Sequence, residues 1–369
     1  MNELNVKLKR IRELLKEKEL KGVLLTRQSN FAWVTCGGDS HVVMGSDAGV
    51  ASVLITPAGA YIVADNIEAG RIYDEELGRS PLLKKAFRVI SLPWHKEEEK
   101  IKIIKNICPL GRLGTDIPLA GARLIGRDIV PLRYSLTPEE INRYEWLGRD
   151  CAKSMGDVCR SIKTGDTEHE IAGRLAETML AKGIVPTVLL IASDERIFKY
   201  RHPIPADKKI KKHAMVVLCG RKWGLIVSLT RLVYFGRLPA GLRRKHDAVA
   251  EIDACFIANT RPGINAGTIF TKAMQAYKSA GFADEWGLHH QGGATGYGER
   301  DYKATPGCRE TVLENQAFAW NPSITGTKSE DTIIALPGKA KIISAVPGWP
   351  SINAEYGGEK MKRPDILVK

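Results

Sequence analysis

The sequence predicts an α/β protein built from two domains. The chain has 369 residues, which is more than one ordinary domain needs. Helix and strand patterns alternate along the first third of the chain, and this alternation is typical of a three-layer α/β domain. Apolar residues make up 44% and charged residues 26% of the composition, as in globular proteins with a substantial core.

The elements of the N-terminal domain follow from hydrophobic periodicity and turn residues. A charged amphipathic helix over Met1 to Leu20 precedes a short buried strand, and a Pro-Ala-Gly turn joins the next two strands into a hairpin. The predicted elements are strands at Gly22–Thr26, Ala51–Thr56, Ala60–Ala64, Lys85–Leu92 and Leu113–Asp116, and helices at Ile67–Leu77 and Glu97–Ile107. We place the domain boundaries at residues 1–131 and 135–369, with Pro131 to Ser135 as an ordered linker.

The second domain opens on a strong helix start. Thr137 is followed by Pro138 and, three residues on, by Glu140, so the pattern combines a capping box with proline in the first turn. Helices are predicted over 138–162, 168–182, 244–260 and 266–280, and strands over 214–220, 225–235, 318–320, 331–336 and 340–344.

Composition narrows the function classes. No run of about 18 apolar residues is present, so we expect no membrane span and no membrane partner. The charged first helix does not resemble a signal peptide, which favours the cytoplasm. The seven cysteines are scattered without a CxxC pair and are predicted to be reduced, with Cys219 as a small core residue.

The net charge of +13 is compatible with a nucleic-acid partner, but the distribution of the basic residues does not indicate one. They are spread over several segments, two of which also carry acids, and no basic stripe interleaved with aromatics occurs. We interpret the charge as solvated helix faces or attraction for an anionic substrate, and predict no nucleic-acid partner.

Four short motifs carry the chemistry. They are Thr230-Arg231, His289-His290-Gln291-Gly292-Gly293, Trp320-Asn321-Pro322 and Glu330-Asp331-Thr332. Together with the order of elements, they resemble the creatinase/aminopeptidase P/prolidase family over nearly the whole chain. The resemblance implies a creatinase-like N-terminal domain, a C-terminal α+β pita-bread domain with its site in a cup, and a homodimer.

The active peptidases of that family hold two divalent metals with two Asp, one His and two Glu. At the matching positions this chain has Leu218, Ser228, either His289 or His290, Asn321 and Glu330. At most two ligands survive, and one imidazole with one carboxylate does not hold two dications well. The sequence therefore predicts no metal and no cofactor, unless a shifted alignment hides ligands among Glu299, Asp301 and Glu314.

Loss of metal does not require loss of catalysis, because creatinase is itself a metal-free member of the family. The histidine that matches its proton-moving residue is His202, and a neutral imidazole can take a proton from water and return it to a leaving nitrogen. We predict His202, His290 and Glu330 as catalytic residues. The predicted substrate-binding residues are His289, Arg231, Asn321, Ser228, Trp320 and Tyr297. Asn321 is expected to donate to a substrate carbonyl, and Arg231 either to hold Glu330 or to clamp an anionic group.

Three function classes stay open at this point. The favoured one is metal-independent hydrolysis of a C–N bond in a small or dipeptide-like molecule. The second is a metal-dependent Xaa-Pro peptidase, and the third is a binding protein that reuses the scaffold without catalysis.

Overall fold

The computed structural model describes residues 2–369, which divide into two compact units. One unit comprises the described residues up to Glu140 together with Trp223–Leu225, and the other comprises Ile141–Lys222 and Ile226–Lys369.

The first unit is built on a six-stranded mixed sheet in the order β4-β3-β2-β1-β5-β6. Strands β1 and β2 pair antiparallel, as do β2 and β3, whereas the other neighbours run parallel. Its elements are α1 (Glu3–Glu17), β1 (Gly22–Arg27), α2 (Gln28–Val34), β2 (Ala48–Ile55), β3 (Ala60–Asp65), α3 (Ala69–Arg71), α4 (Pro81–Ala86), β4 (Phe87–Leu92), α5 (Glu97–Ile107), β5 (Leu113–Thr115), β6 (Arg123–Leu124) and α6 (Gly126–Ile129).

Two N-terminal predictions were wrong in detail. Residues 85 and 86 end helix α4 rather than starting a strand, because Ser80 caps the helix by accepting from the Leu82 amide and Pro81 occupies its first turn. The helix predicted over 67–77 is only the short α3, continued by a π-helical turn at Ile72–Glu76.

The second unit begins with long helices and contains two main sheets. The capping box at Thr137 is present, since the Glu140 amide donates to Thr137 Oγ1 at 3.3 Å and the Thr137 amide to Glu140 Oε2 at 2.8 Å. One sheet has the order β19-β9-β8-β7 and the other β11-β10-β12-β15-β16. The elements are α7 (Pro138–Ser161), α8 (Glu168–Leu180), β7 (Val185–Ser193), α9 (Glu195–Lys199), β8 (His213–Lys222), β9 (Leu225–Tyr234), α10 (Ala240–Asn259), α11 (Ala266–Ser279), β10 (Gly292–Thr295), β11 (Tyr302–Lys303), β12 (Ala317–Trp320), β13 (Ser323–Ile324), β14 (Thr327–Lys328), β15 (Asp331–Ile334), β16 (Lys341–Ile342), β17 (Ser351–Tyr356), β18 (Glu359–Pro364) and β19 (Leu367–Val368).

Some elements of this unit were not predicted. These are β7 and the β17–β18 hairpin, and α10 begins four residues before its predicted start. The predicted antiparallel strands around the motifs are present, however, and they position the site.

The core of the second unit packs helices α10 and α11 against the motif-bearing sheet. Phe256 stacks on Trp320 with ring centroids 4.5 Å apart, and Phe318 also stacks on Trp320, at 5.5 Å. Below this core, a short bridge between Thr230 and Glu330 ties β9 to the start of β15. Among the described residues, no helix is both long enough and apolar enough to cross a bilayer.

Candidate active site

The two sheets of the second unit meet where the sequence motifs lie. The Thr230 amide donates to the Glu330 carbonyl at 3.2 Å, and the Ser228 amide donates to Thr332 Oγ1 at 2.8 Å. These bonds fix the Thr-Arg motif beside the Glu-Asp-Thr motif. We call the cluster formed there by His202, His289, His290, Arg300, Lys328 and Glu330 the cup.

Glu330 is the only carboxylate in this cluster, and cations occupy both of its oxygens. Lys328 Nζ lies 2.8 Å from Oε2, which also accepts from Thr230 Oγ1 at 2.6 Å. Arg300 lies 3.3 Å from Oε1. Burial alone would raise the pKa of the Glu330 carboxyl, but Lys328 and Arg300 hold it below its usual value. Glu330 is therefore an ionised anchor for two cations rather than a proton donor.

The three predicted histidines come together on one side of the cup. His202 Nε2 and His289 Nε2 are 3.0 Å apart, so one of them donates to the other. The His289 and His290 rings stack with centroids 4.3 Å apart, and the His202 ring lies 5.6 Å from that of His290. Both histidines of the pair thus adjoin His202.

All three imidazoles are held neutral. Burial and then Lys328 lower the pKa of His202, while Glu330 opposes the shift. Burial, again with Lys328 as the next cause, lowers the pKa of His289 to about 2. Burial and Arg300 lower the pKa of His290 to about 4. A neutral imidazole at pH 7 can accept a proton, as a general base requires.

The loop that carries His202 is anchored by the residue before it. Arg201 donates to Glu285 Oε2 at 2.6 Å and to Thr325 Oγ1 at 2.9 Å. Thr325 lies in the turn between β13 and β14, so the loop is bound to the hairpin that carries Lys328. His202 itself remains exposed, which leaves its ring open to a ligand.

A small cavity lies beside this cluster. Its volume is about 10 Å³, and His289, Lys328, Ser323 and Thr327 are among the residues that line it. That is about the space one water molecule requires. Polar groups on the lining would give such a water hydrogen-bond partners next to the histidines.

Several buried polar atoms of the motifs and the cup make no hydrogen bond within the described part of the chain, including Nδ1 of His289, Nδ1 of His290 and Nε of Arg231. Two more are the amide oxygen of Asn321 and Nε of Arg300. Burying a polar atom without a partner is costly, so each is a candidate contact for a ligand. The Asn321 atom is an acceptor, which suits a substrate N–H rather than the carbonyl that the sequence analysis expected.

Two predicted substrate-binding residues, Arg231 and Trp320, are not brought to the cup, and a third, Tyr297, is buried. Arg231 is 2% exposed and pairs with Asp331 at 2.8 Å, on the face of the strand opposite to the Glu330 side chain. Trp320 lies in the aromatic core and donates to Thr260 Oγ1 at 2.9 Å. Tyr297 is 2% exposed, so little of it can reach a ligand. Of the two roles considered for Arg231, these contacts favour the structural one over the clamping of an anionic group.

Ser228 is buried against a neighbouring thiol. Its Oγ lies 3.1 Å from Cys219 Sγ, so Cys219 and not Leu218 is the β8 residue facing this position. Burial and Glu330 raise the pKa of Cys219 to about 11, which keeps the thiol protonated and unreactive at pH 7. Sequence alternation alone did not reveal that Cys219 belongs beside the site.

These residues do not fit a pair of divalent metals. Of the five positions matched to family ligands, Leu218 offers no ligand atom and Ser228 and Asn321 are neutral. The two oxygens of Glu330 already bind Lys328 and Arg300. The three histidines have ring nitrogens within 4.8 Å of one another, close enough for one ion, but the cations that lower their pKa values also repel a dication.

Comparisons with known proteins identify the family of the chain. A sequence model of metallopeptidase family M24 matches residues 147–349. An Xaa-Pro dipeptidase of Pyrococcus horikoshii is 22% identical over 356 residues, which cover 92% of this chain and 97% of that protein. A protein named agropine synthesis cyclase, from Rhizobium rhizogenes, is 34% identical over 104 residues, covering 27% of this chain and 26% of the cyclase.

The solved structure of an Xaa-Pro dipeptidase from Bacillus anthracis matches with a TM-score of 0.77 at 17% identity, covering 99% of this chain and 100% of that one. At that identity the likeness shows the fold alone. It confirms the predicted α/β class and the pita-bread form of the second unit.

Proposed function

The chain belongs to metallopeptidase family M24, and we propose that within this hydrolase family it cleaves a C–N bond without the two-metal centre. The observation that carries the proposal is the pairing of Glu330 with Lys328 and Arg300. Two side-chain cations bind the carboxylate that, by resemblance, would hold metal.

The proton chemistry is assigned to the histidines. His202 is neutral, exposed and hydrogen-bonded to His289, so it can take a proton from a water molecule and later return it to the leaving nitrogen. The water-sized cavity lined by His289 and Lys328 is the position proposed for that water. His289 orients the His202 ring through the bond between their Nε2 atoms, and His290 packs beside it.

The proposed substrate is a small, dipeptide-like molecule with a negatively charged group. Arg300 and Lys328 retain donors beyond those used on Glu330, and the buried Arg300 Nε has no other partner among the described residues. These donors suit a carboxylate. The amide oxygen of Asn321 would then accept from the N–H of the same molecule, which fixes its orientation.

A substrate panel tests the proposal directly. Purified protein is incubated with proline dipeptides, N-acyl amino acids, the carboxamide analogues of both, and guanidino compounds, each with and without chelator. We expect turnover of carboxylate-bearing compounds that chelator does not reduce and that His202→Ala and Glu330→Gln abolish. The control is His169→Ala, because His169 is an exposed histidine on α8.

The outcomes separate the three classes. Turnover that chelator abolishes, with about two metal ions per chain, would establish the metal-dependent Xaa-Pro peptidase instead. Absence of turnover across the panel, together with tight binding of one compound, would favour a binding protein. Full activity in both site variants would overturn the assignment of His202 and Glu330.

A second candidate reaction is suggested by one comparison. The match at 34% identity is to a protein named as a cyclase. The same acid–base groups that hydrolyse a bond between an acyl carbon and a nitrogen or oxygen can also form it within one molecule, with loss of water. Screening the panel for ring-closed products by mass spectrometry distinguishes this reaction from hydrolysis.

We also propose that the protein is a cytoplasmic homodimer. The family resemblance supports the dimer, and the seven cysteines, all free in the described chain, support a reducing compartment. Sedimentation analysis tests the dimer, since a monomer at micromolar concentration contradicts it.

A further inference from the structure

A second and much larger cavity opens in the second unit. Its volume is about 540 Å³, within the range of sites that take small molecules. The cavity lies where β8 begins, β9 ends and α10 starts, with α9 along one side. None of the residues of the cup lines it. We call it the His213 pocket.

His213 is a buried polar group without a partner. It is 3% exposed, and neither of its ring nitrogens makes a hydrogen bond within the described part of the chain. Burial lowers its pKa to about 4, against the opposing charge of Asp194, so the ring is neutral at pH 7. A neutral imidazole has one donor and one acceptor. A ligand in the pocket that bonds to His213 would offset the free-energy cost of burying these nitrogens without a partner.

The walls of the pocket are mainly apolar and partly aromatic. The Tyr234 ring lies 5.6 Å from the His213 ring, and the Phe198 ring lies 6.5 Å from it in an edge-to-face arrangement. Leu242 adds an aliphatic surface. Phe198 is 46% exposed, so part of its ring is open to a ligand. These surfaces suit a flat apolar group such as an aromatic ring.

The charged groups on the lining favour an anion. The carboxylate of Asp194 is engaged by the backbone amides of Lys211, Lys212 and His213, at 2.8 to 3.0 Å. The carboxylate of Glu195 is paired with Lys208 at 2.5 Å.

The lysines on the lining use fewer of their hydrogen-bonding groups than the two carboxylates do. Lys245 donates one hydrogen bond, to the Thr325 carbonyl at 2.9 Å, and its ammonium lies 5.8 Å from the Phe198 ring. An ammonium has three donors, so Lys245 keeps capacity for an anionic group close to that ring. The Lys212 side chain is exposed on the same lining.

We propose that the His213 pocket binds a small aromatic carboxylate. The ring lies against Phe198 and Tyr234, the carboxylate meets Lys245 and Lys212, and one polar atom of the ligand bonds to His213. Such a ligand satisfies the unpartnered imidazole, covers the exposed Phe198 ring and neutralises the lysines.

Gly241 allows the pocket to be filled without rebuilding the fold. It lines the cavity in the first turn of α10, and a Cβ placed there would meet no atom within 4 Å. The Gly241→Trp variant should therefore occupy the pocket. Gly173→Trp is the matched control, because Gly173 is an exposed glycine inside α8 whose Cβ would also meet nothing within 4 Å.

The test measures binding of three probes of similar shape by calorimetry and ligand-observed NMR. The probes are phenylacetate, the neutral phenylacetamide and the cationic phenethylamine. We expect phenylacetate to bind at least about tenfold more tightly than either of the others. Gly241→Trp should abolish this binding and Gly173→Trp should not. Lys245→Met should reduce phenylacetate affinity to about that of phenylacetamide.

Three results would overturn the proposal. Undiminished phenylacetate binding in a folded Gly241→Trp protein would place the anion elsewhere, for example in the cup. Binding of the amine or amide as tight as that of phenylacetate would remove the charge argument. Failure of all three probes to bind the wild-type protein at millimolar concentration would exclude this ligand class. Circular dichroism confirms folding, and Lys245→Met gives an independent answer if Gly241→Trp does not fold.

Discussion

The ammonium of Lys328 lies 2.8 Å from Oε2 of Glu330, inside the cup of a protein that belongs to a metallopeptidase family. A lysine supplies positive charge without open coordination positions, so it can bind an anion but cannot activate water as a metal ion does. The same charge lowers the pKa of the neighbouring histidines. Substitution of Lys328 should therefore change both substrate binding and the pKa of the neighbouring histidines.

Lys328→Met should raise the pKa of His202. Lys328 is the largest charged contributor to the lowering of this pKa, so its removal should move the pKa up toward its ordinary value. The midpoint is read from a histidine-detected NMR titration, or from the acidic limb of the rate profile once a substrate is known. Lys328→Arg keeps the charge and should keep the wild-type midpoint. Equal midpoints in all three proteins would show that Lys328 does not control His202.

Metal content should be low in the wild-type protein. After purification without chelator and dialysis, we expect manganese, cobalt and zinc to total less than about 0.2 ions per chain, because the donor set has one carboxylate that is already ion-paired. Addition of Mn²⁺ should leave the thermal midpoint unchanged, since an ion that does not bind the native state cannot stabilise it. Two bound ions and a marked rise in the midpoint would contradict this expectation.

The sequence indicated which motifs lie together in the fold, but not the charges around them. A bridge between Thr230 and Glu330 ties the Thr-Arg motif to the Glu-Asp-Thr motif, as the family resemblance implies. Arg300 reaches Glu330 through a tertiary contact that no spacing rule marks. Lys328 stands two residues before Glu330, a spacing that places side chains on the same face of an extended segment.

Alternation along strands explains other differences. Trp320 and Arg231 belong to the motifs, but neighbouring residues on a strand face opposite sides, and both side chains contact residues outside the cup. Pro186 interrupts the apolar run of β7, which argues against a strand. The structure accommodates it because β7 is an edge strand with an irregularity between Pro186 and Val188.

Stability should fall between neutral and mildly acidic pH because of His213. Its folded pKa of about 4 is below the unfolded value of 6.5, so its contribution is present above pH 6.5 and is lost as the pH falls toward 4. For this buried group the loss is about 2 kcal/mol by pH 5, from the linkage relation.

The measurement compares unfolding free energies at pH 7.5 and pH 5.0 in wild type, in His213→Phe and in the exposed control His169→Phe. His213→Phe should lose less stability on acidification than wild type by about this amount. His290 contributes in the same pH range, so only the difference between proteins is informative. An identical pH dependence in wild type and His213→Phe would show that His213 is not buried as a neutral group.

Removing Arg363 should be far more costly than removing a surface cation. Arg363 is 1% exposed and lies 2.6 Å from Asp253 and 2.9 Å from Asp331, and Asp331 in turn holds Arg231 behind the cup. Burial already raises the pKa of Asp253 although Arg363 opposes it, so loss of the guanidinium leaves a carboxylate without compensation. Arg363→Met should therefore destabilise the protein by about 3–5 kcal/mol.

The control for Arg363→Met is Lys341→Met, which breaks a solvent-exposed pair with Glu145 and should cost less than about 1 kcal/mol. Chemical denaturation of both variants gives the comparison. Adding Asp253→Asn to Arg363→Met should recover part of the loss, because the neutral amide no longer leaves a buried charge unpaired. Equal losses in Arg363→Met and Lys341→Met, or no recovery in the double variant, would show that the buried ion network does not hold the strand that presents Glu330.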